Sequence, residues 1–289
     1  MLSGAAAAVL TLVVVTALYV ATGFILALKV FQSTPGDSAR QPIPRRLIDL
    51  ARGIGIEWLV TMYVAVLVPL RSSRSRSALP PTGHQRIMAL LPGYLENAAT
   101  MALMRRRLER ALGIPVMTLT PPRYFGSIEA LAQDYRRQID RWLTESGARQ
   151  IDLIGHSMGG LLARVLVEQL GLAGVVGYLV TVGTPHLGSA LAPLAIGKNA
   201  RQMERESAFL KELNARSVPP DVCYIGICSA HDNVVLPWRN ALSPRGDNFT
   251  LRFRGHLTLV FSRMVVDLIV EKLAGHCAAA QKTQPRTEC

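Results

Sequence analysis

Ile151-Asp152-Leu153-Ile154-Gly155-His156-Ser157-Met158-Gly159-Gly160 joins a strand pattern to a helix pattern through a tight turn. An apolar run of strand length meets a glycine-bounded turn, and an amphipathic helix pattern follows from Met158 to Leu170. The turn holds G-x-S-x-G at Gly155, Ser157 and Gly159. Where a strand passes directly into a helix, the two approach closely, and a side chain at either flanking glycine would crowd the turn. Ser157 then stands at the tip, beside a helix N-terminus that favours developing negative charge. Five residues of this kind are weak evidence alone. Their weight comes from the strand before and the helix after.

Outward from that turn, the chain alternates short apolar runs with helical patterns. Arg86 to Leu91, Val116 to Leu119, Ile151 to Ile154, Gly177 to Val182, Val222 to Ile227 and Phe249 to Phe253 read as strands. Residues 98–112, 128–143, 158–170 and 257–273 read as helices, with apolar residues three and four apart. This alternation predicts a mostly parallel sheet of about six strands with helices on both faces. A short amphipathic helix at 203–214 falls in a lid-like insertion at about 191–219.

A serine nucleophile needs a base, and the base needs an orienting acid. On a parallel sheet the loops at the C-terminal strand edge gather distant residues. Asp232 follows the strand at 222–227, and His256 follows the strand at 249–253. Both loops lie on the edge that carries Ser157, in the order Ser, Asp, His. The rivals sit less well. Asp247 precedes the last strand, and His84 precedes the first strand of the domain. His231 adjoins the acid, and His156 packs beside the nucleophile. Elimination leaves Ser157, Asp232 and His256 as catalytic candidates. The oxyanion donors are expected to be the backbone N–H groups of Met158 and Tyr94, with Leu95 next in line. Gly93 lets the loop after the first strand turn.

The N-terminal third differs. Residues 4–28 are almost wholly apolar, long enough to span a bilayer, and no small-x-small cleavage site follows. A second apolar run, 53–70, contains Glu57, which is costly inside a membrane. It reads as a second span or as an interfacial helix. Arg71, Arg74 and Arg76 form a basic linker. The expected organisation is a membrane-anchor region at 1–76, a catalytic domain at 77–276 and a flexible tail at 277–289. The expected location is a membrane, the bacterial inner membrane, with the side of the domain left open by the arginine count.

The formal charge of +12 over 289 residues is mostly arginine. Such a balance favours anionic surfaces, but no nucleic-acid motif accompanies it. The cysteines are Cys223, Cys228, Cys277 and Cys289. Their spacing is not that of a zinc site, and four do not demand disulfides. Neither a metal nor an organic cofactor is implied.

Pro92-Gly93-Tyr94, Gly155-His156-Ser157-Met158-Gly159-Gly160, Gly183-Thr184-Pro185-His186-Leu187-Gly188-Ser189 and the loops of Ser229, Asp232, Pro237 and Gly255-His256 resemble one family. They are similar to the α/β-hydrolase lipases and esterases, particularly bacterial triacylglycerol lipases and inositol-deacylase-like hydrolases. The likeness covers about residues 84–276. It implies an α/β-hydrolase fold, a flap role for 203–214 and a structural role for His186. Related lipases carry histidine where this chain has Pro92, and many have larger lids. The expectation is a membrane-anchored serine hydrolase of lipid or other apolar esters. An acyltransferase or thioesterase with the same triad, or a non-catalytic scaffold, remains open.

Overall fold

The computed structural model describes residues 11–25 in part, 43–67, 80–121 and 123–283, the side chains of 43–47, 49–50, 66–67 and 275–283 excepted. Six parallel strands form one sheet: β1 (Arg86–Leu91), β2 (Val116–Thr118), β3 (Gln150–His156), β4 (Val176–Val182), β5 (Cys223–Ser229) and β6 (Asp247–Leu251). Their spatial order is β2-β1-β3-β4-β5-β6. The order reverses between β1 and β3, so the loops leaving those two strands border the crevice where such sheets hold their ligands.

Strands β1, β3, β4 and β5 are largely apolar on both faces because helices cover both, whereas edge strand β6 is mostly exposed. Ile87, Ala89, Ile151 and Leu153 pack on one side with Tyr135, Ile139, Leu161 and Leu162. These come from α3 (Ile128–Ser146) and α4 (Met158–Glu168). Met88, Leu90, Ile154 and Val180 face Met104, Leu108, Val265 and Ile269 on the other side. These belong to α2 (Ala102–Leu112) and α8 (Arg263–Thr283). Helix ends follow their sequence. Ser127 caps α3 by accepting from the Ala130 amide, and Gly147 closes it in the left-handed region at φ 73°.

The insertion departs from the single helix expected at 203–214. It holds α5 (Lys198–Gln202) and α6 (Ala208–Ala215). Ser207 starts α6 by accepting from the Leu210 amide, and Glu206 before it has a positive φ of 62°. The expected closing helix is likewise two: α7 (Thr258–Phe261), then α8, which runs to Thr283.

The N-terminal reading needs correction. Among the described residues, no helix is long and apolar enough to cross a membrane. The apolar run at 53–70 belongs to α1 (Ile43–Leu67), which also carries Arg45, Arg46, Asp49, Arg52 and Glu57. Its acid is not in lipid. Glu57 is 1% exposed and accepts hydrogen bonds from Leu257 and Thr258, which follow β6. Of the first run, residues 13–18 and 20–23 are helical, and Thr16 and Val20 are buried. The Trp58 indole donates to the Thr16 hydroxyl at 3.3 Å, joining this helical stretch to α1. The expected membrane anchor is therefore overturned, and with it the membrane-anchored description and the inner-membrane location. Residues 4–10, 26–28 and 68–70, the linker 71–76 and the tail from 284 lie outside the described residues.

Candidate active site

Ser157 occupies the turn between β3 and α4 with φ 52° and ψ −125°. A non-glycine residue held there is strained, and such strain is a feature of nucleophile turns. The flanking glycines are required sterically. A Cβ on Gly155 would lie 2.4 Å from the Gly159 carbonyl, and one on Gly159 would lie 2.0 Å from the Leu91 oxygen. The Ser157 amide donates to the Val182 carbonyl at 2.8 Å, fixing the turn to β4.

The loop after β1 lies against this turn. A Cβ on Gly93 would stand 2.9 Å from the Ser157 Cβ. The Gly93 amide donates to Glu96 Oε2 at 2.6 Å and so is already engaged. The neighbouring Tyr94 amide is the next candidate donor in that loop. Met158 opens α4, where the first N–H groups lack partners within the helix.

Asp232 and His256 come together as the strand-edge argument anticipates. His256 Nδ1 donates to Asp232 Oδ2 at 2.8 Å, with both side chains buried. The other carboxylate oxygen, Oδ1, accepts from the Val234 and Val235 amides at 2.8 Å each. That loop geometry holds the carboxylate and leaves Oδ2 for the imidazole. The Asn233 side chain accepts from the His256 amide at 2.9 Å, and Ser229 Oγ donates to the Arg254 carbonyl at 2.5 Å. The Asp232 loop thus clasps the His256 loop at two further points. Burial pushes the His256 pKa down. The charge and hydrogen bond of Asp232, with the charges of Glu57 and Glu96, outweigh it and hold the pKa above 6.5.

The rival histidines are committed elsewhere. His231 accepts the Phe253 amide at 3.2 Å and stacks on that ring. His186 is fully buried between Thr181 and Arg164, and burial and nearby arginines push its pKa well below 6.5. It ties the Gly183–Ser189 loop to α4. Arg164 is also fully buried. It pairs with Glu168 at 2.8 Å and donates to Asn214 and to the Leu213 carbonyl, fastening α6 to α4.

One arrangement had no signal in the spacing of residues. His156 Nδ1 lies 3.0 Å from Glu96 Oε2, and His156 Nε2 donates to the His256 carbonyl at 3.2 Å. The rings of His156 and His256 are 4.8 Å apart. A buried carboxylate-histidine pair therefore bridges the loop of Gly93 to the loop of His256. Burial pushes the Glu96 pKa up. The charge and hydrogen bond of His156 and the Gly93 amide overcome this and bring it below 4.5.

The insertion borders the same crevice. The Tyr94 hydroxyl donates to the Ile196 carbonyl at 2.8 Å and accepts its amide at 3.1 Å. Tyr94 also meets Phe125 edge to face, at 6.3 Å between centroids. Leu95, Phe125, Leu194 and Ile196 are exposed around this contact. Among the described residues, no cluster of three or more His, Cys, Asp or Glu side chains is arranged to hold a metal ion. Cys223 and Cys228 are free thiols, both pushed up in pKa by burial.

A family model described as a PGAP1-like alpha/beta domain matches residues 128–236, which include Ser157 and Asp232 and stop short of His256. The chain is similar in structure to Aspergillus fumigatus lipase B, at 17% identity and TM-score 0.55, over 66% of this chain and 53% of that one. It thus spans about half of that lipase. It is also similar to mature Bacillus licheniformis lipase BlEst2, at 14% identity and TM-score 0.56, over 68% and 93%. MGS-MChE2, an alpha/beta hydrolase from the sediment metagenome of the Mar Chica lagoon, Morocco, matches at 19% identity and TM-score 0.51, over 68% and 94%. At such identities the structural likeness is one of fold. The chain resembles the α/β-hydrolase lipases and esterases in fold, and its residues 128–236 resemble the PGAP1-like domain.

Proposed function

We propose that the chain is a serine hydrolase of carboxylic esters, with Ser157 as nucleophile, His256 as general base and Asp232 as the orienting acid. The observation that carries this reading is the buried Asp232–His256 hydrogen bond of 2.8 Å, in loops at the strand edge that bears the strained Ser157 turn. In the proposed reaction the Ser157 oxygen attacks the ester carbonyl, and its proton passes to His256 Nε2. The oxyanion is held by the amides of Met158 and Tyr94. The tetrahedral intermediate collapses, and His256 gives its proton to the departing alcohol. Water, deprotonated by the same imidazole, then releases the acid and restores the serine. Gly93, Gly155 and Gly159 keep the two loops close enough for this geometry.

The substrate is an ester with an apolar acyl or alcohol group. Exposed Leu95, Phe125, Leu194 and Ile196 around the Tyr94–Ile196 contact support that choice. Hydrolysis of a panel of paired esters and thioesters by the full-length protein and Ser157→Ala tests the reading. The expected result is turnover of apolar esters, abolished by the substitution. Equal turnover by both proteins, or turnover of thioesters alone, would contradict it.

A further inference from the structure

We propose that Glu57, on the N-terminal helix α1, is a positioning residue for the His256 loop, so that α1 belongs to the catalytic apparatus. The inference rests on the serine-hydrolase reading and deepens it. Glu57 Oε1 accepts the Leu257 amide at 2.8 Å, across 200 positions of sequence. Oε2 accepts the Thr258 amide at 2.9 Å and the Thr258 hydroxyl at 2.6 Å. The carboxyl group thus holds the two residues that directly follow His256. On the other side of the histidine, Gly255 leaves room for the same group, since a Cβ there would stand 2.3 Å from the Glu57 carboxyl carbon. A side chain at 255 would displace the Glu57 carboxyl group from the loop.

Further contacts join the N-terminal segment to these loops. Tyr63 packs edge to face on Phe261, at 5.7 Å between centroids. In the N-terminal helical stretch, a Cβ on Gly23 would come within 2.6 Å of the Asn233 carbonyl oxygen. Asn233 is the residue whose side chain accepts the His256 amide. The N-terminal segment therefore touches both the acid loop and the base loop. A buried carboxylic group is costly unless its hydrogen bonds are satisfied, and here the satisfied partners are all in the base loop. Asp232 fixes the imidazole through Nδ1, while Glu57 fixes the backbone that carries it. An active site needs that second support, because displacement of a catalytic group by about 1 Å costs on the order of 100-fold in rate.

The test uses full-length protein, a fluorophosphonate to titrate Ser157, and a p-nitrophenyl ester for turnover. Glu57→Ala should lower kcat per titrated site by about 100-fold and leave KM within about twofold. Glu57→Gln keeps one acceptor oxygen and should lie between Glu57→Ala and wild type. A merely structural glutamate would lower the number of titratable sites, not the rate at each. Thr258→Val removes a single donor and serves where the Glu57 variants do not fold. It should cost about three- to tenfold in kcat per site. Wild-type rates per site in folded Glu57→Ala, or in Thr258→Val, would overturn this inference alone. A wild-type protein that neither labels nor turns over ester would overturn the hydrolase reading beneath it.

Discussion

Asp232 and His256 are joined through Oδ2 and Nδ1 at 2.8 Å, with the carboxylate fully buried and the imidazole 5% exposed. The sign of the resulting pH dependence follows from this pairing. Burial disfavours the imidazolium, but Asp232 favours it more, so the His256 pKa lies above 6.5. The base must be neutral to accept the serine proton. Activity is therefore expected to rise with pH through an apparent pKa above 6.5, with kcat/KM falling about tenfold per unit below it. A pH profile of kcat/KM on a neutral ester checks this; an acid limb below 6.5 would contradict the assignment.

Asp232→Asn keeps the volume of the acid and loses its charge. Oδ1 still has the amides of Val234 and Val235 to anchor it. The expected loss in kcat is on the order of 10⁴-fold, because the imidazole loses the partner that sets its tautomer and stabilises its cation. The residual acid limb should move to lower pH. Steady-state kinetics measure both, and a loss of less than about tenfold would remove Asp232 from the role.

Gly93→Ala tests the oxyanion loop. The added methyl carbon would lie 2.9 Å from the Ser157 Cβ and 3.0 Å from Glu96 Oε2, so the loop must shift. Fluorophosphonate labelling of the folded variant is expected to slow by about 100-fold, the scale of losing one oxyanion donor. Circular dichroism of the same sample separates this from unfolding.

Glu96→Gln tests the bridge between the Gly93 and His256 loops. The folded pKa of Glu96 is depressed below 4.5, so its stabilisation is present above 4.5 and lost as pH falls through the folded value. Denaturant unfolding should show the variant less stable by about 1.5–3 kcal/mol at pH 7. The difference should shrink as the solution is acidified below 4.5. A gap that does not change with pH would mean that the ionised carboxylate is not what stabilises the loops.

The candidate residues were legible in the sequence through two local rules. Ser157 stands in a glycine-bounded turn, and Asp232 and His256 each follow a strand on the same edge. The sheet itself was readable because β1, β3, β4 and β5 are largely apolar runs buried on both faces; edge strand β6, Asp-Asn-Phe-Thr-Leu, is mostly exposed and begins two residues before the run at 249–253. The insertion was less so: Glu206 and Ser207 start a new helix inside a pattern that scans as one. Glu57 and the pair Glu96–His156 gave no spacing signal. Glu57 meets two backbone amides and the Thr258 hydroxyl some 200 positions away, and Glu96 and His156 meet each other across 60 positions, so no local pattern marks them. Hydropathy misled for α1, since an apolar run reads alike whether it faces lipid or a protein surface. The polar group that argued against a membrane there is the one that fastens the helix to the base loop.

Covalent labelling shows whether Ser157 is an activated nucleophile. Full-length protein is incubated with a fluorophosphonate, and the adduct is mapped by peptide mass spectrometry. One stoichiometric adduct is expected on Ser157, absent in Ser157→Ala and strongly slowed in Asp232→Asn. A folded wild-type protein that takes up no label at Ser157 and cleaves no ester would contradict it.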